Sequence, residues 1–290
     1  MNEANMVKSL NSWRIVYSEA ANGAWNMAID EAILESAGNG LAPPTLRLYA
    51  WEPACLSLGM AQPSSEVNYT ALAQRGWQAV RRPTGGRAIL HTDELTYSIC
   101  GLQTEPCLAG GVLESYRVIA AALLEALRLL GVAATADEIP GSRRSSPDGE
   151  QSKVGKEIDP VCFTEPSNYE ITAGGKKLIG SAQARRGNAV LQHGSLPLTG
   201  DLRRIVQVLN YPNMTARQAA AIRITDRATT VEQLLGKKVS WEDAAVAMRR
   251  AFEGRLGLDL ATGDLSAAEI NRAAELEAQK YDNLEWTARI

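Results

Sequence analysis

The sequence predicts an α+β fold, a mixed or antiparallel sheet flanked by helices, and three observations carry that reading. Strand-like segments cluster through the middle of the chain, helical periodicity lies before and after them, and no βαβ phosphate-binding fingerprint follows any strand. The last point leaves little support for a dinucleotide-binding doubly wound fold. With 290 residues, 45% hydrophobic and 22% charged, the composition is that of an ordinary globular protein. A chain of this length holds one large domain with an appendage or two modest ones. We expect a main domain over residues 1–228 and a helical C-terminal extension over 229–290 packed on it.

The elements follow in order. Residues 26–34 have helical spacing, with Met27, Ala28, Ile29, Ala32 and Ile33 on a broad apolar face. Residues 45–51 alternate as a half-buried strand, residues 55–59 repeat the style, and residues 78–82 lead as a strand into a glycine turn. Residues 88–90 and 95–99 read as a hairpin-type continuation. Helical periodicity returns over 114–130 and stops at Gly131, a natural helix-ending residue. Residues 141–156 are rich in Ser, Gly, Arg and Lys and read as a loop, either a lid or a disordered segment. Strands then fit 168–172, 177–185 and 189–194. From residue 229 onward the pattern is helical, most clearly over 241–256 and 267–281.

Charge and cysteine usage exclude several functions. A net charge of −3 argues against nucleic acid as the main ligand. No apolar run approaches the roughly 20 residues that span a bilayer, and residues 1–12 lack the apolar core of a signal peptide. A cytoplasmic protein without membrane partners is expected. Cys55, Cys100, Cys107 and Cys162 show no CxxC spacing, so neither a zinc site nor a disulfide framework is expected, and each is a small buried hydrophobe or a reactive thiol. Two histidines and scattered carboxylates offer no metal-ligand spacing. No cofactor is expected.

The residues fit for chemistry gather in a few motifs. Arg81-Arg82-Pro83-Thr84-Gly85-Gly86-Arg87 leads through a short apolar run to His91. Lys177-Leu178-Ile179-Gly180-Ser181-Ala182-Gln183 is followed by Gln192-His193-Gly194-Ser195. Both histidines of the chain thus lie in glycine-marked motifs, which suggests one site assembled from distant segments. Each histidine is either a hydrogen-bonded core imidazole or a wall of that site. Gly85, Gly86 and Gly180 are turn glycines or the walls of a narrow channel for a chain-like ligand. Lys177 is an exposed turn lysine, or its ammonium enters a pocket where it stabilises an oxyanion. Cys162 is an inert buried thiol or a nucleophile whose thiolate a nearby cation stabilises; its place between a polar loop and Pro166 favours the second.

Together these motifs resemble the biotin/lipoate protein ligase superfamily, and within it the cysteine-dependent octanoyltransferase branch. The resemblance rests on Asn26-Met27-Ala28-Ile29-Asp30-Glu31, Arg81 through His91, Cys162-Phe163 with Pro166-Ser167 and Tyr169-Glu170, Lys177 through Gln183, Gln192 through Ser195, and the closing Lys280-Tyr281…Glu285-Trp286. It covers nearly the whole chain. It implies the class II synthetase-like catalytic fold of that superfamily over residues 1–228, and an acyltransferase of lipoate biosynthesis. The implied donor is octanoyl-acyl carrier protein; the implied acceptors are lysines of lipoyl domains, as in the glycine-cleavage H protein and 2-oxoacid dehydrogenase E2. Carried onto this chain, Cys162 is the acyl-thioester nucleophile and Lys177 the lysine beside the acyl carbonyl. Arg82, Thr84, Gly85, Gly86, His91, Gly180, Ser181, Ala182 and His193 then bind the acyl group. Arg81, Arg82, Arg143, Arg144, Arg185 and Arg186 are candidates for steering acidic partners.

Three rivals share parts of this pattern. An ATP-dependent lipoate–protein ligase of the same fold typically has Gly-Gly-Gly where this chain has Gly85-Gly86-Arg87, and needs no nucleophilic cysteine. An amidotransferase moving octanoyl or lipoyl groups between lipoyl domains uses a cysteine, and His91 tilts the reading away from it. A non-catalytic acyl-binding protein has no use for Cys162 and Lys177.

Overall fold

A computed structural model describes residues 12–137, 161 and 170–290. The first strand, β1 (Ser12–Tyr17), buries its four inner residues. Asn22 then caps helix α1 (Gly23–Gly38), its side chain accepting the Trp25 N–H. This helix is buried on nearly every side, Asn26, Asp30 and Glu31 included, so its polar groups must find partners inside the protein. It returns the chain to β2 (Thr45–Tyr49), which runs parallel to β1.

The next segments build a separate small sheet. Strand β3 (Cys55–Leu58), helix α2 (Tyr69–Gln74), β4 (Gln78–Arg81) and β5 (Ile89–His91) follow one another, with β3 between a parallel β4 and an antiparallel β5. The long strand β6 (Glu94–Leu102) then enters the large sheet. The hairpin expected over residues 88–99 does not form. Strand β6 is paired on both sides, with β2 and with β10 (Ala189–Pro197), and leaves no edge for β5, so the chain changes sheets at Thr92 and Asp93.

Helix α3 (Val112–Leu129) ends just before Gly131. Strands β7 (Thr135–Asp137), β8 (Glu170–Ala173), β9 (Lys176–Arg186) and β10 run antiparallel in sequence, and β8 turns into β9 through Gly174 and Gly175. Both turn glycines have positive φ, which a two-residue hairpin of this kind demands. Helices α4 (Met214–Arg227), α5 (Val231–Leu235) and α6 (Trp241–Leu256), strand β11 (Asp259–Thr262), and helices α7 (Ala267–Leu276) and α8 (Leu284–Thr287) complete the described chain.

The large sheet has the order β11-β1-β2-β6-β10-β9-β8-β7. Helices α3 and α6 pack together over one apolar cluster, while α1 and α7 bury a second one. The C-terminal segment, expected to be helical, therefore supplies a strand, β11, which pairs parallel with β1 at the sheet edge. Four residues with only Leu260 buried carry no legible alternation. The strand expected from residue 168 begins at Glu170 in the described chain, and residues 168, 169 and the loop 141–156 lie outside the described residues. Among the described residues, no helix is long and apolar enough to cross a membrane.

Candidate active site

A cleft lies where the small sheet meets the large one. Strand register builds its floor. Gly180 of β9 lies opposite Ser195 of β10, Ser195 opposite Thr96 of β6, and Thr96 opposite Tyr49 of β2. Strands sit about 4.8 Å apart, so this row runs about 14 Å across the sheet. The loop between β4 and β5 forms the facing wall through Arg82, Gly86 and Arg87. That loop packs tightly: a Cβ on Gly59 would overlap the Gly86 carbonyl, and Gly86 itself has φ +93°.

Both histidines line the cleft, and their nitrogens are engaged behind it. His91 places Nδ1 2.6 Å from Glu94 Oε1 and Nε2 2.8 Å from Ser57 Oγ, and its ring stacks on Trp51 with centroids 4.0 Å apart. Burial alone would raise the Glu94 carboxyl, but the His91 charge and hydrogen bond, with the Thr96 and Ser195 hydroxyls, hold it below its usual range. His193 places Nε2 2.7 Å from Thr84 Oγ1 and Nδ1 3.3 Å from Asp30 Oδ2. Its burial pushes it toward the neutral form against the opposing pull of Asp30. Asp30 also accepts from Arg47, Ser98 and Tyr49, and despite full burial these partners and His193 keep it ionised. The cleft is thus walled by polar residues whose hydrogen-bonding atoms are committed to one another or to residues behind them.

Lys177 is buried and lines the cleft, with Nζ 2.6 Å from Glu170 Oε1. Its carbonyl accepts the Thr229 N–H, which seats it beneath the end of α4. Lys176 is the less buried lysine of the pair, its ammonium donating to the Thr225 carbonyl. Of the two readings of Lys177, the structure has the pocket.

The remaining expected site residues divide. Gly180, Ser181 and Ala182 line the cleft beside Arg82, Gly86, His91, Lys177 and His193. Thr84 and Gly85 do not line it: Thr84 is buried behind the wall and bonds His193, while Gly85 is exposed and its carbonyl accepts from Arg82. Cys162 lies outside the described residues. Its chain neighbour Val161 is fully buried and bridges Ala88, the residue between the cleft-lining Arg87 and Ile89. The three described thiols are poor nucleophiles, since burial pushes all of them well above the ordinary cysteine value, Cys107 up to about 12.

The steering role expected of the arginines needs correction. Arg81 is fully buried and donates to the carbonyls of Gly59, Gln62 and Thr287, so its charge braces backbone rather than facing a partner. Arg82 is buried likewise, bonded to Ser57, Gly85 and Arg87. Arg185 is tied to the carbonyls of Leu108, Gly110 and Gly111, while Arg186 pairs with Glu31 and keeps a partly exposed side chain. Arg143 and Arg144 lie outside the described residues.

Sequence reasoning missed Ser57, Thr96, Tyr49 and Trp51 in the lining and the buried acids Asp30, Glu94 and Glu170 behind it. One signal was available for Asp30: a helix apolar on most sides that still carries Asn26 and Asp30 one turn apart. Among the described residues, no group of three His, Cys, Asp or Glu could hold a metal ion.

A mixed sheet with helices on its faces and a cleft lined by a buried lysine defines a class of fold before it defines a protein. Comparison narrows the class. The lipoyl protein ligase A/B catalytic domain family matches residues 22–253. Proteins named octanoyltransferase LipM from Kyrpidia tusciae and Moorella thermoacetica are each 39% identical, over 97% and 96% of this chain and 100% and 98% of theirs. Among solved structures, a bipartite lipoate protein ligase from Thermoplasma acidophilum superposes with TM-score 0.77 at 25% identity, covering 96% of both chains. A lipoate-protein ligase A bound with ATP gives 0.73 at 26%, covering 96% of this chain and 98% of its own. The chain belongs to the lipoyl protein ligase A/B catalytic domain family and, within it, to the octanoyltransferases, a group of acyltransferases.

Proposed function

We propose that this enzyme takes an octanoyl group from octanoyl-acyl carrier protein and transfers it to a lysine of a lipoyl domain, through a thioester on Cys162. The observation that carries this reading is the cleft: its polar wall atoms are bonded to one another or to residues behind the wall, and the buried Lys177 lines it. Such a wall leaves an aliphatic chain nothing to desolvate. Burying that chain contributes about 0.8 kcal/mol per methylene, several kcal/mol for an eight-carbon acyl group.

The chemistry runs in two balanced steps. The Cys162 thiolate adds to the donor thioester carbonyl; the carrier sulfur leaves as a thiolate, which takes its proton from water, and the octanoyl group stays on the Cys162 sulfur. The acceptor amine then adds to the new thioester, Cys162 departs as thiol or thiolate, and an amide forms. Exchange between thioesters is nearly isoenergetic and amide formation is downhill, so no nucleotide is consumed. In both steps Lys177 faces the oxygen on which negative charge develops. Such chemistry belongs in the cytoplasm, where carrier and lipoyl-domain proteins meet.

The sequence relatives at 39% identity carry the octanoyltransferase name, whereas the ATP-bound ligase stands at 26%. That ordering, with Arg87 where the ligases carry a third glycine, favours transfer over adenylation. The test is a transfer assay with purified octanoyl carrier protein and an apo lipoyl domain. We expect octanoylated domain without ATP; a strict need for ATP and free acid overturns the reading. Product formed only from an octanoylated H protein would instead select amidotransfer.

A further inference from the structure

We propose that Glu170 is the positioning residue of this site: its carboxylate keeps the Lys177 ammonium charged and aimed into the cleft. The proposal rests on the transferase reading for its consequence, but its geometry stands apart from it. Ile171 pairs with Ile179, and continuing that register would set Leu178 opposite Thr172; a shift instead sets Lys177 there. Cross-strand partners share a face of the sheet, and so do residues two apart on one strand. The irregularity therefore puts Lys177 on the face that Thr172 shares with Glu170. Bulges re-aim side chains in this way beside active sites. The outcome is a 2.6 Å contact between Nζ and Oε1, with the lysine side chain 3% and the glutamate side chain 11% exposed.

The charge balance around the lysine makes that carboxylate matter. Among the described residues, Arg82, Arg87, His91 and His193 share the cleft with Lys177, so the described side chains that line it beside the lysine bring cations or imidazole rings. The carboxylates of Glu94 and Asp30 stand behind those rings and are engaged by them. Tyr49 donates a hydrogen bond from its hydroxyl to Asp30, and Lys176 is turned to Thr225. On α4, whose end bridges Lys177 through Ala228, Asp226 and Arg227 are exposed. An ammonium buried among like charges sheds its proton unless a carboxylate holds it. Oxyanion stabilisation requires the charged form, so Lys177 acts as a fixed cation and not as the base for the incoming amine.

The test reads the lysine directly. Competitive acetylation of Lys177 by acetic anhydride over a pH series, followed by peptide mass, gives its titration midpoint in the whole enzyme without any donor. Glu170→Gln and Glu170→Ala are expected to lower that midpoint by about 1–3 pH units. Glu170→Asp, which keeps the charge and shortens the reach, should fall between them and the wild type. The alkaline limit of Cys162 octanoylation should move down by the same amount. A wild-type midpoint in whichever of the Gln and Ala variants folds overturns the proposal. Wild-type enzyme that takes no octanoyl group at all would refute the transferase reading instead, and the labelling curves would still judge the pair.

Discussion

Two buried ion pairs in this protein have nearly the same chemistry and opposite uses. Arg47 and Asp30 are wholly buried, and their neighbours consume them: Arg47 also donates to Ser18 and Asn26, while Asp30 accepts from Ser98 and Tyr49. Lys177 and Glu170 are as close, but the ammonium lines a cleft and the carboxylate keeps some access to water. The first pair ties α1 to β2. The second presents a charge to whatever enters. A buried pair adds little net stability over an apolar substitute, yet losing one partner is costly when the other has no escape. The difference between the two pairs is that escape.

The largest effect separating them should come from Asp30→Ala. It strands Arg47 in the interior and should cost about 3–5 kcal/mol of folding stability, read as the shift in urea midpoint; a variant as stable as the wild type would show that the closed network holds nothing together. Lys177→Ala should behave in the reverse way. Its transfer rate should fall by about 10²–10³-fold, while its loss of stability stays below half that of Asp30→Ala, because the Glu170 side chain keeps some exposure to solvent. Single-turnover kinetics and urea melts on the same samples decide it.

Acid sharpens the contrast next. The folded-state values of His193, Glu94 and Asp30 all lie below their unfolded ones, so the unfolded chain binds more protons. Stability should therefore decline as pH drops below the unfolded histidine value of about 6.5, and more steeply once it passes the unfolded carboxylate range. In His193→Gln the upper part of that decline should disappear, and an unchanged profile would remove His193 from the linkage. The smallest effect belongs to a third pair, Arg128 and Glu125 on the outer face of α3. Exposed partners are screened, and Arg128→Ala should change neither the melt nor the transfer rate measurably.

What the sequence made legible follows the same division. Period and glycine placement marked α1, β2, β3, α3, α6 and the β9–β10 region, since each is long or sharply bounded. They did not mark β7 or β11, which are three and four residues long and lack a readable period. Chain order was also a poor guide to pairing: β5 and β6 are neighbours in sequence and members of different sheets. At the site, the glycine-marked motifs named the segments that reach the cleft, because a backbone meeting a ligand needs glycine. The acids behind them carried no such mark. Glu94 looks like any surface glutamate until strand pairing turns it inward, Glu170 stands in a motif that gives it no role, and Arg81 looks like a surface cation until three loop carbonyls and that of Thr287 enclose it.

The central claim is that the acyl group rests on the enzyme between its two partners. Intact-mass measurement of the whole enzyme mixed with octanoyl carrier protein, in the absence of nucleotide and acceptor, tests it most directly. The account predicts a mass increase of one octanoyl group that peptide mapping places on Cys162, that hydroxylamine removes, and that Cys162→Ala lacks. Efficient modification of a lipoyl domain by an enzyme that never carries the acyl group, or by the Cys162→Ala variant, would contradict it.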